Sequence, residues 1–319
     1  MVGNLYTSNF NMKTYFKYLL SVVLFAFISY YSLFFFAICY IRNTDLQAPA
    51  GVTTAVLGNS VGADSIDDSI LVDFKNYCCS GLNFDIEEGF IKAVVDQNPQ
   101  IKDIILCFDV VQYGGYLNSN LRHYKPSEYK YVGGYIAYDN KAINKYSWYE
   151  LIKWTIGSNI LIEPIGIFFG YDRLIRDKIY QEIEMRNRDF KGIIDIPYKE
   201  AKISRSYNHD ALKRAIYYAQ EKGLSVILLS TPMYQLDRWY GRTGYYDFLN
   251  TLDERVQIAD YTDFPMPSDD YYGDVIHLNY KGAEYFSKHL KEHGLKAIPV
   301  KEYLRQRADD RKHIFSPPK

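Results

Sequence analysis

Between Lys17 and Arg42 lie 24 consecutive residues without a charge, Tyr18 to Ile41, dense in Leu, Val, Phe and Tyr. As a helix rising about 1.5 Å per residue, such a run spans roughly 36 Å. That is enough to cross a hydrocarbon core about 30 Å thick with some tilt. Tyr15, Tyr18 and Tyr40 fall near its ends, where aromatic belts form, while Tyr30 and Tyr31 fall at mid-span at some cost. A cleaved signal peptide would have a shorter apolar core and a small-residue cleavage site. A lipoprotein would use Cys39, which Ile38 precedes poorly. The run therefore predicts an uncleaved single-pass anchor over 18–41. Lys13 and Lys17 precede it and only Arg42 follows closely, so residues 1–17 are expected in the cytoplasm. The remainder is then periplasmic or extracellular.

The 319 residues, 48% of them hydrophobic, suffice for one anchor and one domain with a real core. A formal net charge of −1 supplies no basic field for nucleic acid, and that class is set aside. The 32 tyrosines suit carbohydrate contact, although ordinary compositional bias is the plainer account of them. Cys39, Cys78, Cys79 and Cys107 form no C-x-x-C or Cys/His cluster, so neither a metal nor a cofactor is implied. Cys39 falls in the apolar run. The other three fall in predicted buried strands, where cysteine behaves as a small hydrophobe.

Beyond a linker over 42–51, β-branched and apolar runs alternate with helical patterns. Strands are predicted at 53–57, 76–79, 103–108, 225–230 and 256–261. Helical spacing occurs over 64–74, from Asp85 to about Asp96 with Glu88 in a capping-box position, over 210–222 before Gly223, and over 281–293 before Gly294. Residues from about 113 to 206, rich in Tyr, Lys and Gly, are expected to form a long insertion beside the sheet. Residues 297–319 are expected to be a charged, solvated tail. The alternation predicts an α/β domain over 52–296: three layers, α/β/α, around a parallel flavodoxin-like sheet. Sites in such sheets lie at the carboxyl ends of the strands.

Two segments carry candidate chemistry. Leu57-Gly58-Asn59-Ser60 follows the first strand, where a glycine turns the chain sharply and can leave the Ser60 hydroxyl at the sheet edge. A turn or capping serine is the plainer account of it. Asp274-x-x-His277-Leu278-Asn279-x-x-Gly282 precedes the last strong helical pattern. A carboxylate three residues before a histidine can orient the ring and stabilise its cationic form. A loop rich in caps with an incidental histidine is the plainer account of a lone Asp-x-x-His.

Together the two segments resemble the SGNH (GDSL-like) hydrolase superfamily, from about Thr53 to Leu290 with the insertion unmatched. The anchor and insertion look closer to its membrane-bound branch, which includes D-alanyl transfer proteins of teichoic acid modification and alginate acetylation proteins. The resemblance implies a serine esterase or O-acyltransferase with a catalytic triad of Ser60, Asp274 and His277. It also implies an oxyanion hole from the backbone N–H groups of Ser60 and Gly81. The third block of the family, G-x-N-D, is replaced here by Cys107-Phe108-Asp109-Val110-Val111, leaving either Asn83 or Asn59 as a substitute for the missing asparagine, or a hole with fewer donors. The expected substrate is an acylated cell-envelope polysaccharide, and a multi-span membrane acyltransferase is an expected partner. The alternative is a catalytically silent protein that keeps the fold to bind glycan or that acyltransferase.

Overall fold

The computed structural model describes residues 12–42, 46–78, 84–113, 199–200, 209–234 and 240–307. The first helix, α1 (Met12–Arg42), contains the whole uncharged run. Its stretch Met12–Ser32 is long and apolar enough to cross a membrane, and none of it is buried in the protein. A signal sequence meets the same criteria.

The domain is a six-stranded sheet in the order β2-β1-β3-β5-β7-β8. Its strands are β1 (Thr54–Leu57), β2 (Phe74–Asn76), β3 (Asp103–Cys107), β5 (Ser225–Ser230), β7 (Gln257–Asp260) and β8 (Ile298–Pro299). All neighbours pair in parallel except β7 and β8. A separate parallel pair joins β4 (Lys199–Glu200) to β6 (Tyr240–Gly241). Among the described residues, the α-helices of the domain are α2 (Ser60–Ala63), α3 (Phe84–Gln97), α4 (Val110–Tyr113), α5 (His209–Glu221), α6 (Thr243–Leu249), α7 (Tyr280–His293) and α8 (Val300–Gln306).

The period of two in a strand sorts the core into two halves. Leu57, Leu106, Leu228 and Ile258 face one side, packed with Ile91 and Val94 of α3, Leu212 and Ile216 of α5, Leu249 of α6 and Leu304 of α8. Val56, Ile105, Leu229 and Ala259 face the other, packed with Ala63 of α2 and Phe286 and Leu290 of α7. The domain is thus the expected three-layer α/β sandwich with a mostly parallel sheet and helices on both sides. Runs such as Asp103-Ile-Ile-Leu-Cys and Ser225-Val-Ile-Leu-Leu-Ser lack polar alternation because both faces of the sheet are covered.

Several boundaries depart from the sequence reading. Residues 64–73 form turns instead of a helix, and β2 occupies 74–76 instead of 76–79. Asn76 holds that turn, donating from Nδ2 to the carbonyl of Ile66 at 2.8 Å. Asp85 falls inside α3, which begins at Phe84, and so does not cap it. Glu88 also lies within α3 and binds Lys92 (2.6 Å) and Arg214 of α5 (2.7 Å). Part of the expected linker docks: the Leu46 amide donates to Gln97 Oε1 and the Ala48 amide to Asn98 Oδ1. Residues 298–306 are not solvated tail, since Val300, Tyr303 and Leu304 are buried against the sheet. The expected insertion lies almost entirely outside the described residues.

Candidate active site

The first strand delivers Ser60. Gly58 has φ 142, a conformation that side chains rarely tolerate, and a β-carbon there would lie 2.7 Å from that of Cys107 on the neighbouring strand. The sharp turn it permits ends β1 and starts α2 at once. Asn59 caps that helix, its Oδ1 accepting from the Val61 amide at 3.0 Å. Its side-chain oxygen is therefore engaged. Ser60 is the first helical residue, so no earlier turn supplies an acceptor for its amide.

The second motif is a tight loop. The His277 carbonyl accepts from the amide of Gly273 at 2.8 Å, and Tyr272 bridges Leu278. The Tyr234 amide, just beyond β5, donates to the Val275 carbonyl and ties the loop to the end of the sheet. Asn279 caps α7 through Oδ1, accepting from Lys281 and Gly282, and its Nδ2 donates to the carbonyls of Asp270 and Tyr272. Gly282 is required by contact, because a β-carbon there would run into the Tyr271 carbonyl oxygen. Each fixed position of the motif therefore has a structural duty in addition to any chemical one.

The two segments meet. Ser60 Oγ lies 2.8 Å from His277 Nε2 across 217 residues of sequence. On the other side of the ring, Nδ1 lies 2.9 Å and 2.8 Å from the two carboxylate oxygens of Asp274. Burial pushes the Asp274 carboxyl up, but the hydrogen bond and charge of His277, with the amides of Ile276 and His277, outweigh it and leave the group below the ordinary aspartate value. Asp274 is then an acceptor only, so Nδ1 carries the proton that it receives. Nε2 is left as the acceptor for the Ser60 hydroxyl. His277 is sequestered, with 16% of its side chain exposed.

Gly81 and Asn83 lie outside the described residues. Among the described residues, no group of three or more His, Cys, Asp or Glu side chains is arranged to hold a metal. One acidic group at the same edge, which the sequence marks as a strand end without a role, is buried. Asp109, two residues beyond β3, is 2% exposed, and burial pushes its carboxyl up to about 6. The available signal was its position, a carboxyl directly after an apolar strand at the edge where sites form.

Three comparisons bear on the chain. A protein-family model that carries no description of function matches residues 182–298, less than half of the chain, and takes in Asp274 and His277 but not Ser60. A search of curated proteins gives no match. Among solved structures, the chain is similar to one provisionally described as a platelet activating factor from Streptococcus pneumonia. The likeness has a TM-score of 0.35 at 10% identity, covering 86% of this chain and 98% of that one. A likeness at that level carries no functional argument.

Proposed function

We propose that the protein is a membrane-anchored serine esterase or O-acyltransferase that acts on an acylated cell-envelope polysaccharide. The observation that carries the reading is the unbroken relay from the Ser60 hydroxyl through the His277 ring to the Asp274 carboxylate. A hydroxyl bonded to the unprotonated nitrogen of an oriented imidazole is the arrangement that makes serine nucleophilic.

In the first step, Ser60 Oγ attacks the carbonyl carbon of an ester while its proton passes to His277 Nε2. The C–O bond to the leaving alcohol then breaks, and His277 returns the proton to that alcohol. Water or a sugar hydroxyl attacks the acyl-serine in the second step, with His277 again taking and returning a proton. Asp274 holds the ring and stabilises its cationic form throughout. The Ser60 amide, and that of Gly81, are the proposed donors to the oxyanion. The proposed anchor is Tyr18 to Ile41, with the catalytic domain outside the cytoplasm beside its substrate. The argument for a glycan rests on that placement and on the resemblance of the two motifs.

The test is release or transfer of acetate from an O-acetylated envelope polysaccharide by the full chain in detergent micelles. Turnover by wild type and none by Ser60→Ala is the expected result. Equal turnover by both rules the reading out. No turnover by wild type on any ester favours the silent binding protein.

A further inference from the structure

Asp109 is one of the buried carboxyls at the same sheet edge that the chemistry above leaves unused. In the β1–β3 ladder Leu57 pairs with Leu106, so Ser60 and Asp109 stand three residues beyond partnered positions on adjacent strands. Asp109 Oδ1 accepts from the amides of Val111 (2.7 Å) and Gln112 (2.9 Å). Its Oδ2 has no hydrogen-bond partner among the described residues. Capping α4 requires one acceptor oxygen and no charge, so an acid is more than the cap needs.

Among the described residues, several charged and titratable groups surround it. His277 attracts its negative form, and Asp260 at the end of β7 opposes it. Asp260 is itself met by Arg242 at 3.8 Å and by the Tyr303 hydroxyl of α8 at 2.6 Å. Tyr245 of α6 lies within reach of the Asp109 charge. Asp274 lies on the Nδ1 side of the ring. The geometric link from Asp109 to His277 runs through Ser60, which stands beside Asp109 at the strand ends and bonds Nε2 at 2.8 Å.

We propose that Asp109 is a positioning residue of this site, whose buried carboxylate acts through space to stabilise the imidazolium of His277 as Ser60 attacks. The proposal rests on the acyl-transfer reading. Asp274 orients the ring by direct contact, and Asp109 adds negative charge without touching it. Burial makes that charge costly, which is why the Asp109 carboxyl is pushed up to about 6, while the field of His277 works in the opposite sense.

Asp109→Asn separates charge from capping, because the amide oxygen still accepts from Val111 and Gln112. Hydrogen–deuterium exchange at the histidine C2 position, read by mass spectrometry on the full chain in detergent micelles, gives the titration midpoint of each ring. In Asp109→Asn the His277 midpoint is expected to fall by about half a unit or more, with His289 unchanged as the internal control. The acid limb of ester hydrolysis should move the same way, with kcat down severalfold and KM held. A purely structural cap would move neither. An unchanged His277 midpoint overturns the proposal. If Asp109→Asn does not fold, Asp109→Ser keeps a capping oxygen and is held to the same result. The midpoint needs no turnover, so a wild type inactive on esters would refute the acyl-transfer reading separately.

Discussion

Both carboxylate oxygens of Asp274 lie within hydrogen-bond distance of His277 Nδ1, and Oδ1 also accepts from the backbone amides of Ile276 and His277. The carboxylate thus builds the loop that presents the ring and also orients it. Asp274→Asn should keep the loop but favour the wrong ring tautomer, since an amide can donate to Nδ1. Activity on a small activated acetyl ester is expected to fall by on the order of 10³-fold or more, with little change in melting temperature. His277→Ala should lose at least as much. A melting temperature that drops steeply in Asp274→Asn would assign the group a structural role first.

Asp274 also sets a direction with pH. Its folded value is depressed, so its contribution to stability is present above the ordinary aspartate value and lost as pH falls through the folded value. Asp109 behaves oppositely. Its carboxyl is raised, so the fold retains a proton that the unfolded chain releases between about 4 and about 6. Stability from this group falls as pH rises through that window and stays lower above it. Asp109→Asn should therefore melt later than wild type at about pH 7, by about 3 kcal/mol, and the gain should nearly vanish near pH 4. Thermal melts at the two pH values check this.

Gly282 tests the fit of the loop against α7. A β-carbon there meets the Tyr271 carbonyl, which belongs to backbone and cannot swing aside. Gly282→Ala should displace the loop that carries His277 and abolish fluorophosphonate labelling, at a stability cost of about 1–3 kcal/mol. Labelling at the wild-type rate would show that the contact is relieved without moving the site.

Glu88 is the stability control. Its carboxylate is nearly buried between α3 and α5, where Arg214 binds both oxygens and Lys92 binds one. Burial raises its carboxyl, but these partners outweigh that and hold it below the ordinary glutamate value. Glu88→Gln should cost about 1–2 kcal/mol in denaturant melts, because both cations reach solvent and are not stranded. The loss should disappear at acid pH, where wild type is also protonated. Ester turnover per folded molecule should not change.

The central strands were legible because both faces of the sheet are covered there. Ser225 to Ser230 needed no alternation to be recognised, only a short apolar run between breakers. The site was legible in part for an analogous reason: Gly58, Asn59, Asn279 and Gly282 are each fixed by a backbone contact, so the motifs are dense in residues that cannot vary freely. The C-terminal helix α8 was missed because seven residues carry only three buried side chains among charged neighbours. The turn at 64–73 was mistaken for a helix because its apolar spacing serves a loop pinned by Asn76, a contact that no local pattern encodes. Asp109 was seen only as a strand end, since burial of a carboxyl depends on what closes over it.

The anchor has its own test. With Tyr18 to Ile41 crossing the membrane and the domain outside, an alkaline phosphatase fused after Lys319 should be active, and a reporter that works only in the cytoplasm should be silent. The opposite pattern would place the domain inside.

The central claim, that Ser60 is a nucleophile activated by His277, is tested most directly by reacting the full chain in detergent micelles with a fluorophosphonate and locating the adduct by mass spectrometry. One adduct per chain on Ser60 is expected, absent in Ser60→Ala and reduced on the order of a thousandfold in rate in His277→Ala. Labelling of Ser60→Ala at the wild-type rate, or no adduct on wild type under conditions that label a known serine esterase, would contradict it.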